Sequence, residues 1–391
     1  MTRIYIVRHA EAEGNLFRRI HGQYESSITC NGLRQIEALR ERFAPEQIDA
    51  CYSSDLIRTR TTAQAVWVPK HLKLHLEPRF REVRLGRWED VPFGQLEREE
   101  PVMMGRFSGD PFHWEVEGAE RFAEYSGRFL EALREVAQRH DGQTVAIFSH
   151  GCVIRAMQMC LFYTPDTISE IGHCDNTGVS LLEYENGNFR AVYLNDNSHL
   201  SPEISTLARQ NWWRQTSGRK DRNLWFRPSQ DDGSWYTACR KDAWEHVYGP
   251  AEVFDGAAYY RDALREAEGE PWAICEAMLG EERVGLLQLA VQRDADRGVG
   301  YIPFLYLRPE FRGQGLGIQL IGQAVSFYRM RNRDRLQLRV SPENHGALAF
   351  YRRYGFRELP EPPEGAHRLI RMELNLDLQQ NLAPEQQDCA V

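Results

Sequence analysis

The chain has 391 residues, well beyond one typical domain, and its 42 % hydrophobic and 27 % charged residues are ordinary for a globular protein. Two domains, each large enough for its own core, are therefore expected. Lys and Arg number 48 against 56 Asp and Glu, a formal net charge of -8, which argues against general nucleic-acid binding because that favours a basic surface.

Targeting and redox signals are weak in this sequence. No apolar run approaches the roughly 20 residues that a membrane helix needs, and no long apolar stretch follows the first basic residue as in a signal peptide. The eight cysteines are scattered without CxxC spacing, which gives no indication of a zinc ribbon or of a disulfide framework. We expect a protein of the reducing cytoplasm without a membrane segment.

Apolar strands alternate with helical stretches up to about residue 200. Apolar residues recur at helical spacing in residues 33–40 and again in Glu120–Arg139. This alternation predicts an α/β layer fold with a largely parallel sheet. The predicted strands are Arg3–Val7, Ala50–Ser53, Thr144–Phe148 and Val179–Tyr184.

Two of these strands run directly into histidines. Arg8 and His9 follow the first strand, and His150 comes just after the third. In an open α/β sheet, ligands bind beyond the carboxyl ends of the strands. The run 53–55 (SSD) is expected to cap a helix whose first turn carries Arg58, close to the positive helix end where anions bind well. These groups suit a phosphoryl group, because Arg offers planar, bidentate donors to phosphate oxygens.

Five motifs in order resemble the histidine phosphatase superfamily, which has the phosphoglycerate-mutase-like fold. The resemblance covers residues 1 to about 200 and implies a three-layer α/β/α domain. The motifs are RHAEAEGN at 8–15, ITCNGLRQ at 28–35, SSDLIR at 53–58, REVRLGRWE at 81–89 and NDNSHL at 195–200.

The resemblance implies a role for each matching residue. His9 becomes the nucleophile that forms a phosphohistidine, and Glu82 the general acid and then base. The groups that hold the phosphoryl oxygens are Arg8, Arg58, His150 and Asn15. No metal is implied, and the sequence shows no metal-ligand spacing.

Two departures from the signature bear on activity. Ala10 stands where Gly is common, and Ala12 stands where a hydroxyl residue is common. Neither is a residue assigned to the chemistry, so an active enzyme is expected. The insert between Glu82 and His150 is shorter than the lids of mutases of this family, which favours hydrolysis and leaves phosphoglycerate-type mutase activity as the alternative.

The alternation of apolar strands and helical stretches breaks off at about residue 200. Ser201-Pro202 is predicted to begin a helix, and the polar run QTSGRKDRN is predicted to be a linker. Helices and strands then resume. The predicted helices are Ser234–Tyr248 and Ala257–Ala267, and the predicted strands are Leu224–Arg227, Trp272–Met278, Arg283–Leu289, Gly300–Leu307, Arg335–Val340 and Arg368–Leu374.

A glycine-rich turn joins the strand ending at Leu307 to an amphipathic helix. Glycines let backbone N–H groups approach a ligand closely, and N–H groups at a helix N-terminus suit a pyrophosphate. This turn, RGQGLG at 312–317, and the later run NHGALAFYRRYGF at 344–356 resemble the GNAT acetyltransferases over about 224–375. The resemblance implies an α+β domain that binds acetyl-CoA or another acyl-CoA.

The GNAT resemblance also implies site residues. Tyr351 is placed to protonate the leaving thiolate, and the general base is left open between Glu310 and Tyr306. The expected cofactor-binding residues are Leu307, Arg312, Gly313, Gln314, Gly315, Leu316, Gly317 and Asn344.

The sequence thus predicts a bifunctional enzyme that removes phosphate from a small phosphorylated metabolite and acetylates a small amine. The alternative from another class is that one domain is kept as a non-catalytic binding or regulatory module. The oligomeric state, the two substrates and any coupling between the activities stay open. The predicted divisions are a phosphatase domain at 1–203, a linker helix and linker at 204–223, an acyltransferase domain at 224–376 and a flexible tail at 377–391.

Overall fold

The structure is a computed structural model that describes residues 1–164, 167, 170–210, 222–250, 253–360 and 369–379. Each half of the chain builds its own mixed sheet with helices against it. Part of the predicted linker, the end of the predicted tail and Arg368 of the last predicted strand lie outside the described residues.

The first sheet has six strands in the order β4-β3-β6-β1-β7-β8. The first four are parallel, and β7 and β8 run antiparallel to them. The four predicted strands are confirmed to within a residue or so at each end. The strands of this sheet are β1 (Thr2–Arg8), β3 (Ala50–Ser53), β4 (Leu74–Leu76), β6 (Thr144–Ser149), β7 (Val179–Glu185) and β8 (Asn188–Asp196). A separate two-stranded sheet pairs β2 (Arg19–Ile20) with β5 (Val91–Pro92).

Helices cover both faces of this sheet, which makes the predicted three-layer α/β/α arrangement. Alternate residues of β1 enter different cores: Ile4 and Ile6 pack with α6 and α7, whereas Tyr5 and Val7 pack with α2 and α3. The helices of this half are α1 (Glu13–Phe17), α2 (Cys30–Phe43), α3 (Ile57–Trp67), α4 (Phe93–Glu99), α5 (Pro101–Gly109), α6 (Phe122–Arg139) and α7 (Gly151–Phe162).

The helix predicted to begin at Ser201-Pro202 is wrong, because residues 201–210 form turns. Side chains of the first half form hydrogen bonds with the backbone groups of this segment. Gln35 Nε2 donates to the carbonyl of Ile204 at 2.7 Å, and the Leu207 N–H donates to Asp175 at 3.1 Å. These long-range hydrogen bonds hold the segment against α2 and replace the bonds of a helix.

The second sheet has seven strands in the order β14-β15-β13-β12-β11-β10-β9. Only β12 and β13 are parallel neighbours. The predicted elements of this half are confirmed, with small shifts at their ends. The elements are β9 (Trp225–Pro228), α8 (Ser234–Tyr248), α9 (Gly256–Ala267), β10 (Ile274–Leu279), β11 (Glu282–Ala290), β12 (Val299–Leu307), α10 (Gly317–Arg329), β13 (Arg335–Val340), α11 (His345–Arg353), β14 (Arg357–Leu359) and β15 (Ile370–Asn375).

The two halves share a packed boundary. The Phe17 ring at the end of α1 is 6 % exposed and belongs to the core of the second half. A Cβ added to Gly322 of α10 would lie 2.5 Å from Phe17, so glycine is what allows this approach. Beside it, Arg329 of α10 makes a bidentate, nearly buried ion pair with Glu13 of α1. The first helix after the His9 motif is therefore fixed to the second half.

Candidate functional site

The parallel strands end at one level and bring three predicted side chains together. Arg8 of β1 pairs with Ser149 of β6, and Ser53 of β3 lies opposite Phe148. The residues that follow these strands, His9, Ser54 and His150, therefore meet at the carboxyl edge of the sheet. The His9 and His150 rings lie 5.2 Å apart between centroids.

His9 is buried and its tautomer is fixed. Its Nδ1 lies 2.7 Å from the carbonyl oxygen of Ala10. Because a carbonyl oxygen only accepts, Nδ1 carries the proton and the neutral ring keeps its lone pair at Nε2. Burial, with the positive charges of Arg58 and Arg8, holds the pKa of His9 well below its ordinary value. The ring is thus neutral at physiological pH, with an unprotonated Nε2.

Two arginines flank His9, and backbone carbonyls hold them. Arg58 is 1 % exposed and donates to the carbonyls of Tyr24 at 3.0 Å and Gly22 at 2.5 Å. Arg8 donates to the carbonyl of Cys174 at 2.6 Å. Neither guanidinium makes an ion pair with a carboxylate in the described part of the chain, so both positive charges are available to an anion.

Glu82 lies at the N-terminus of α7, directly behind His150. Its carboxyl oxygens accept the backbone N–H groups of Val83, Cys152 and Val153 at 3.0 to 3.1 Å. Oε1 accepts two of these bonds and Oε2 accepts one, so the side chain is fixed and the remaining acceptor position lies on Oε2. The structure therefore places the predicted acid at the first turn of the helix whose N-cap is His150.

Several buried polar atoms here have no hydrogen-bond partner among the residues that the structure describes. His150 Nε2 lies 2.9 Å from the Ser54 hydroxyl, but its Nδ1 is unpaired, as are Arg8 Nε and Asn176 Oδ1. Asn176 Nδ2 donates to the His9 carbonyl at 3.0 Å, which places this side chain next to His9. Buried polar atoms normally have partners, so such a cluster around His9 indicates a site built for a polar ligand.

Asn15 joins the site from α1. Its Oδ1 accepts the Ala12 N–H at 3.1 Å and the Asn176 Nδ2 at 3.4 Å. The predicted cap of α3 is wrong in detail: Leu56 occupies the N-cap position without a side-chain hydrogen bond. Instead, the Ile57 N–H donates to Glu25 at 3.0 Å. Arg58 nevertheless lies in the first turn of α3, as predicted.

Sequence reasoning missed the wall formed by residues 21–25. The His21 side chain is buried, its Nε2 lies 2.9 Å from Asp90, and no described atom pairs with its Nδ1. Burial lowers the pKa of His21, although the hydrogen bond to Asp90 opposes this. Gln23 donates to the Glu82 carbonyl at 3.1 Å. The only sequence signal in this segment was the short run IHGQ. That run could not be interpreted without knowing that the two residues before His21 pair with the strand at 91–92.

In the second half, β12 and β13 pair over four residues and then separate. The last pair joins Ile302 and Leu338, although β12 continues to Leu307. Pro303 follows at once, and proline has no N–H to continue the ladder. Such an opening between parallel strands leaves backbone groups of β12 available to an extended ligand.

The glycine-rich turn lies beyond this opening and before α10. Gly313 and Gly315 have φ values of +72° and +75°, which L-residues with side chains rarely adopt, and no described atom lies within 4 Å of a Cβ built there. Gly317 begins α10, with Leu316 at the N-cap position. The turn therefore offers open backbone N–H groups at a helix N-terminus, the arrangement that a pyrophosphate fits.

The other predicted residues of this half are partly committed to local contacts. Arg312 Nε donates to the Leu307 carbonyl at 2.8 Å, and Gln314 Nε2 to that of Glu310 at 2.7 Å. Asn344 Oδ1 caps α11 by accepting the Ala347 N–H at 3.1 Å.

Tyr351 is 8 % exposed, and burial raises the pKa of its phenol, which keeps the proton needed by an acid. Of the two candidate bases, Glu310 is exposed and paired with Arg308, and the Tyr306 hydroxyl donates to Asp242 at 2.9 Å. Neither arrangement identifies the general base.

Within the described ranges, no cluster of three or more His, Cys, Asp or Glu side chains is arranged to hold a metal ion. Among the helices described, none combines the length and the apolar character that crossing a bilayer requires.

Comparison with protein families agrees with this geometry. Residues 4–197 match the histidine phosphatase superfamily (branch 1), and residues 234–356 match the acetyltransferase (GNAT) family. The chain belongs to both families, one in each half. It therefore combines a phosphatase domain with an N-acetyltransferase domain, and membership of the GNAT family implies an acyl-CoA donor.

The similar proteins found cover the first half. Phosphoserine phosphatase 1 of Hydrogenobacter thermophilus is 30 % identical over 200 residues, which are 51 % of this chain and 95 % of that protein. The metal-independent phosphoserine phosphatase of Arabidopsis thaliana is 30 % identical over 207 residues, 51 % of this chain and 84 % of that protein.

A third relative bears on the alternative activity. "Probable phosphoglycerate mutase GpmB" of Serratia proteamaculans is 31 % identical over 154 residues, 39 % of this chain and 72 % of that protein. Among solved structures, Bacillus stearothermophilus YhfR is 29 % identical with a TM-score of 0.50, covering 51 % of this chain and all of that one.

Proposed function

We propose that the first half hydrolyses a small phosphomonoester through a phosphohistidine at His9, without a metal ion. The observation that carries this is the neutral His9 ring, with its lone pair at Nε2, beside two arginines that no described carboxylate pairs. The phosphoserine phosphatases among the relatives support a phosphorylated amino acid as substrate.

The steps follow from the positions of the side chains. His9 Nε2 attacks phosphorus, and Glu82 gives a proton to the leaving oxygen. Water then attacks the phosphohistidine and gives a proton to Glu82, so that ester and water become alcohol and phosphate. Arg8, Arg58 and His150 stabilise the charge on the phosphoryl oxygens during both steps.

The test compares wild type with His9→Ala on O-phospho-L-serine and on a generic aryl phosphate, with phosphate release as readout. We expect loss of turnover in the variant, at least 1000-fold by order of magnitude, because no other group replaces the nucleophile. His246→Ala is the matched control, since His246 is exposed on α8. An active His9→Ala enzyme contradicts the proposal, and EDTA should leave wild type unaffected.

Mutase activity is the competing outcome and is favoured by the GpmB relative. A mutase transfers the phosphoryl group between substrate hydroxyls, whereas a phosphatase releases it to water. ³¹P NMR of a phosphoglycerate incubation separates the two products. Migration without phosphate release contradicts hydrolysis, and ligand binding without either product indicates a non-catalytic module.

For the second half, we propose acetyl transfer from acetyl-CoA to a small amine. The backbone N–H groups of residues 314–317 would bind the pyrophosphate. The free edge of β12 would bind the pantetheine arm, and the Asn344 side chain would contact that arm. When bound, the cofactor supplies an activated acetyl group. Tyr351 holds its phenolic proton at Oη for the leaving sulfur. Titration of the whole chain with acetyl-CoA tests this, and no binding at millimolar concentration contradicts it.

A further inference from the structure

One face of α8 lies across the opening between β12 and β13. Arg240, Trp244 and Tyr248 recur every four residues and therefore share that face. At one end, Arg240 Nη2 donates to the carbonyl of Pro303, the first residue of β12 beyond its pairing with β13, at 3.4 Å. At the other end, Tyr248 hydrogen-bonds Ser341, the residue directly after β13. The face spans about 12 Å of helix.

Aromatic rings surround this face of α8. The Arg240 guanidinium lies 4.2 Å from the ring centroid of Phe304 on β12 and 4.8 Å from that of Tyr259 on α9. The Trp244 ring lies 4.5 Å from Tyr248 and 6.1 Å from Tyr259. Arg240, Trp244, Tyr248 and Tyr259 are all partly exposed, so these groups border accessible space and not a closed core.

Arg240 carries a positive charge that no carboxylate in the described residues pairs. It donates through Nε to the Tyr236 hydroxyl at 3.1 Å and through Nη2 to Gln288 at 3.3 Å, both neutral acceptors. The neighbouring acid, Glu266, accepts from Gln288 Nε2 at 2.9 Å and lies beyond ion-pair distance of Arg240. One edge of the guanidinium, at Nη1, has no described acceptor. An arginine that lies against aromatic rings and keeps a free edge suits a ligand carboxylate.

We infer that this face is the acceptor site of the acyltransferase, and that the acceptor is a free α-amino acid with an apolar or aromatic side chain. Its carboxylate binds Arg240, its side chain packs against Trp244 and Tyr259, and its amine lies at the opening where β12 leaves β13. The inference rests on the proposed acetyl transfer and adds the substrate class.

The bonds and protons of the acetyl transfer balance when these groups take part. The amine nitrogen forms a bond to the acyl carbon as the carbon–sulfur bond breaks, and the electron pair of that bond goes to sulfur. Sulfur takes the proton of Tyr351 Oη. The amine loses one proton to solvent, and solvent returns one to Tyr351, so amino acid and acyl thioester become N-acyl amino acid and thiol.

The first test measures thiol release with L-phenylalanine, L-phenylalaninamide and phenethylamine, which keep the ring and amine but change the carboxylate. Wild type should prefer the amino acid by roughly 10- to 100-fold in kcat/KM, the usual effect of charge-assisted hydrogen bonds. Arg240→Met should remove that preference through KM, and Arg240→Lys should restore part of it.

The matched control is Arg331→Met. Arg331 also lies over an aromatic ring, 3.7 Å from the centroid of Phe327, but it belongs to the other side of the sheet and pairs with Glu270. This control should keep the wild-type preference. An equal loss for acid and amide in Arg240→Met, or no loss for either, overturns the inference.

A second readout does not depend on turnover. Calorimetric titration of L-phenylalanine and its amide into the whole chain, with and without CoA, should show tighter binding of the acid in wild type and equal binding in Arg240→Met. If acetyl-CoA does not bind, the proposed transfer fails, yet this titration still decides the inference. Equal affinity of wild type for acid and amide overturns it.

Discussion

Phe17 lies on a helix of the phosphatase half, but its ring is buried in the core of the acetyltransferase half, beside Gly322. A phenylalanine buries about 150–250 Å², which at about 25 cal/mol per Å² corresponds to roughly 4–6 kcal/mol. Core Phe→Ala changes cost about 3–5 kcal/mol. Because α1 has only five residues and can move into the gap, we expect Phe17→Ala to cost about 3 kcal/mol.

The assay is urea unfolding of the whole chain, followed by tryptophan fluorescence and circular dichroism. With a slope of about 3 kcal/mol per M, the midpoint should fall by about 1 M. Phe112→Ala is the matched control, because Phe112 is 51 % exposed, and it should move the midpoint by no more than about 0.3 M. A Phe17→Ala midpoint within 0.2 M of wild type would refute the shared core.

Three further predictions concern the boundary and the phosphatase site. Glu13→Leu leaves Arg329 buried without its partner and should lower the free energy of unfolding by about 3–5 kcal/mol. The Glu13→Leu/Arg329→Met double variant should recover most of that loss. If the effects of the two single substitutions on the urea midpoint simply add in the double variant, the pairing is contradicted. Gly151→Ala places a Cβ 3.2 Å from Arg8 Nε, so the guanidinium must move by a few tenths of an ångström. In Gly151→Ala, phosphatase kcat/KM should fall about 3- to 30-fold with an unchanged urea midpoint. Full activity of this variant would show that the reaction does not depend on the exact position of the Arg8 guanidinium. Because burial depresses the folded-state pKa of His9 below the ordinary value of about 6.5, the unfolded chain binds more protons below that pH, and stability present above pH 6.5 is lost as pH falls. The urea midpoint should therefore drop between pH 7.5 and pH 5.5 by more in wild type than in His9→Asn, and equal drops would contradict a depressed pKa.

Strong local patterns were sufficient to predict most strands and helices. Ala50–Ser53, Ser234–Tyr248 and Arg335–Val340 have the predicted bounds, because their apolar spacing and their flanking turn residues agree. The Ser201-Pro202 helix failed where a local signal competed with distant partners. There, Gln35 and Asp175, more than 30 residues away, bind the backbone of the segment and hold it in turns.

The same distinction holds for the phosphatase site. The sequence motifs placed Arg8, His9, Arg58 and His150 at strand ends or in a first helical turn, whereas Glu82 lies in a loop and was located only by the family motif around it. His21 and Asn176 were missed, since their contact with the site depends on how loops fold back over it.

By itself, the sequence determined the two families, the order of the elements and the candidate residues of the phosphatase site, because motifs and strand ends are local properties of the chain. Only the tertiary structure decided which groups meet across the molecule. Three such contacts join residues that are distant in the chain. Phe17 is buried in the core of the other half, His21 is held by Asp90, and α8 lies across the opening between β12 and β13. Such contacts depend on packing and on the pairing of buried polar atoms, which no short window of sequence encodes.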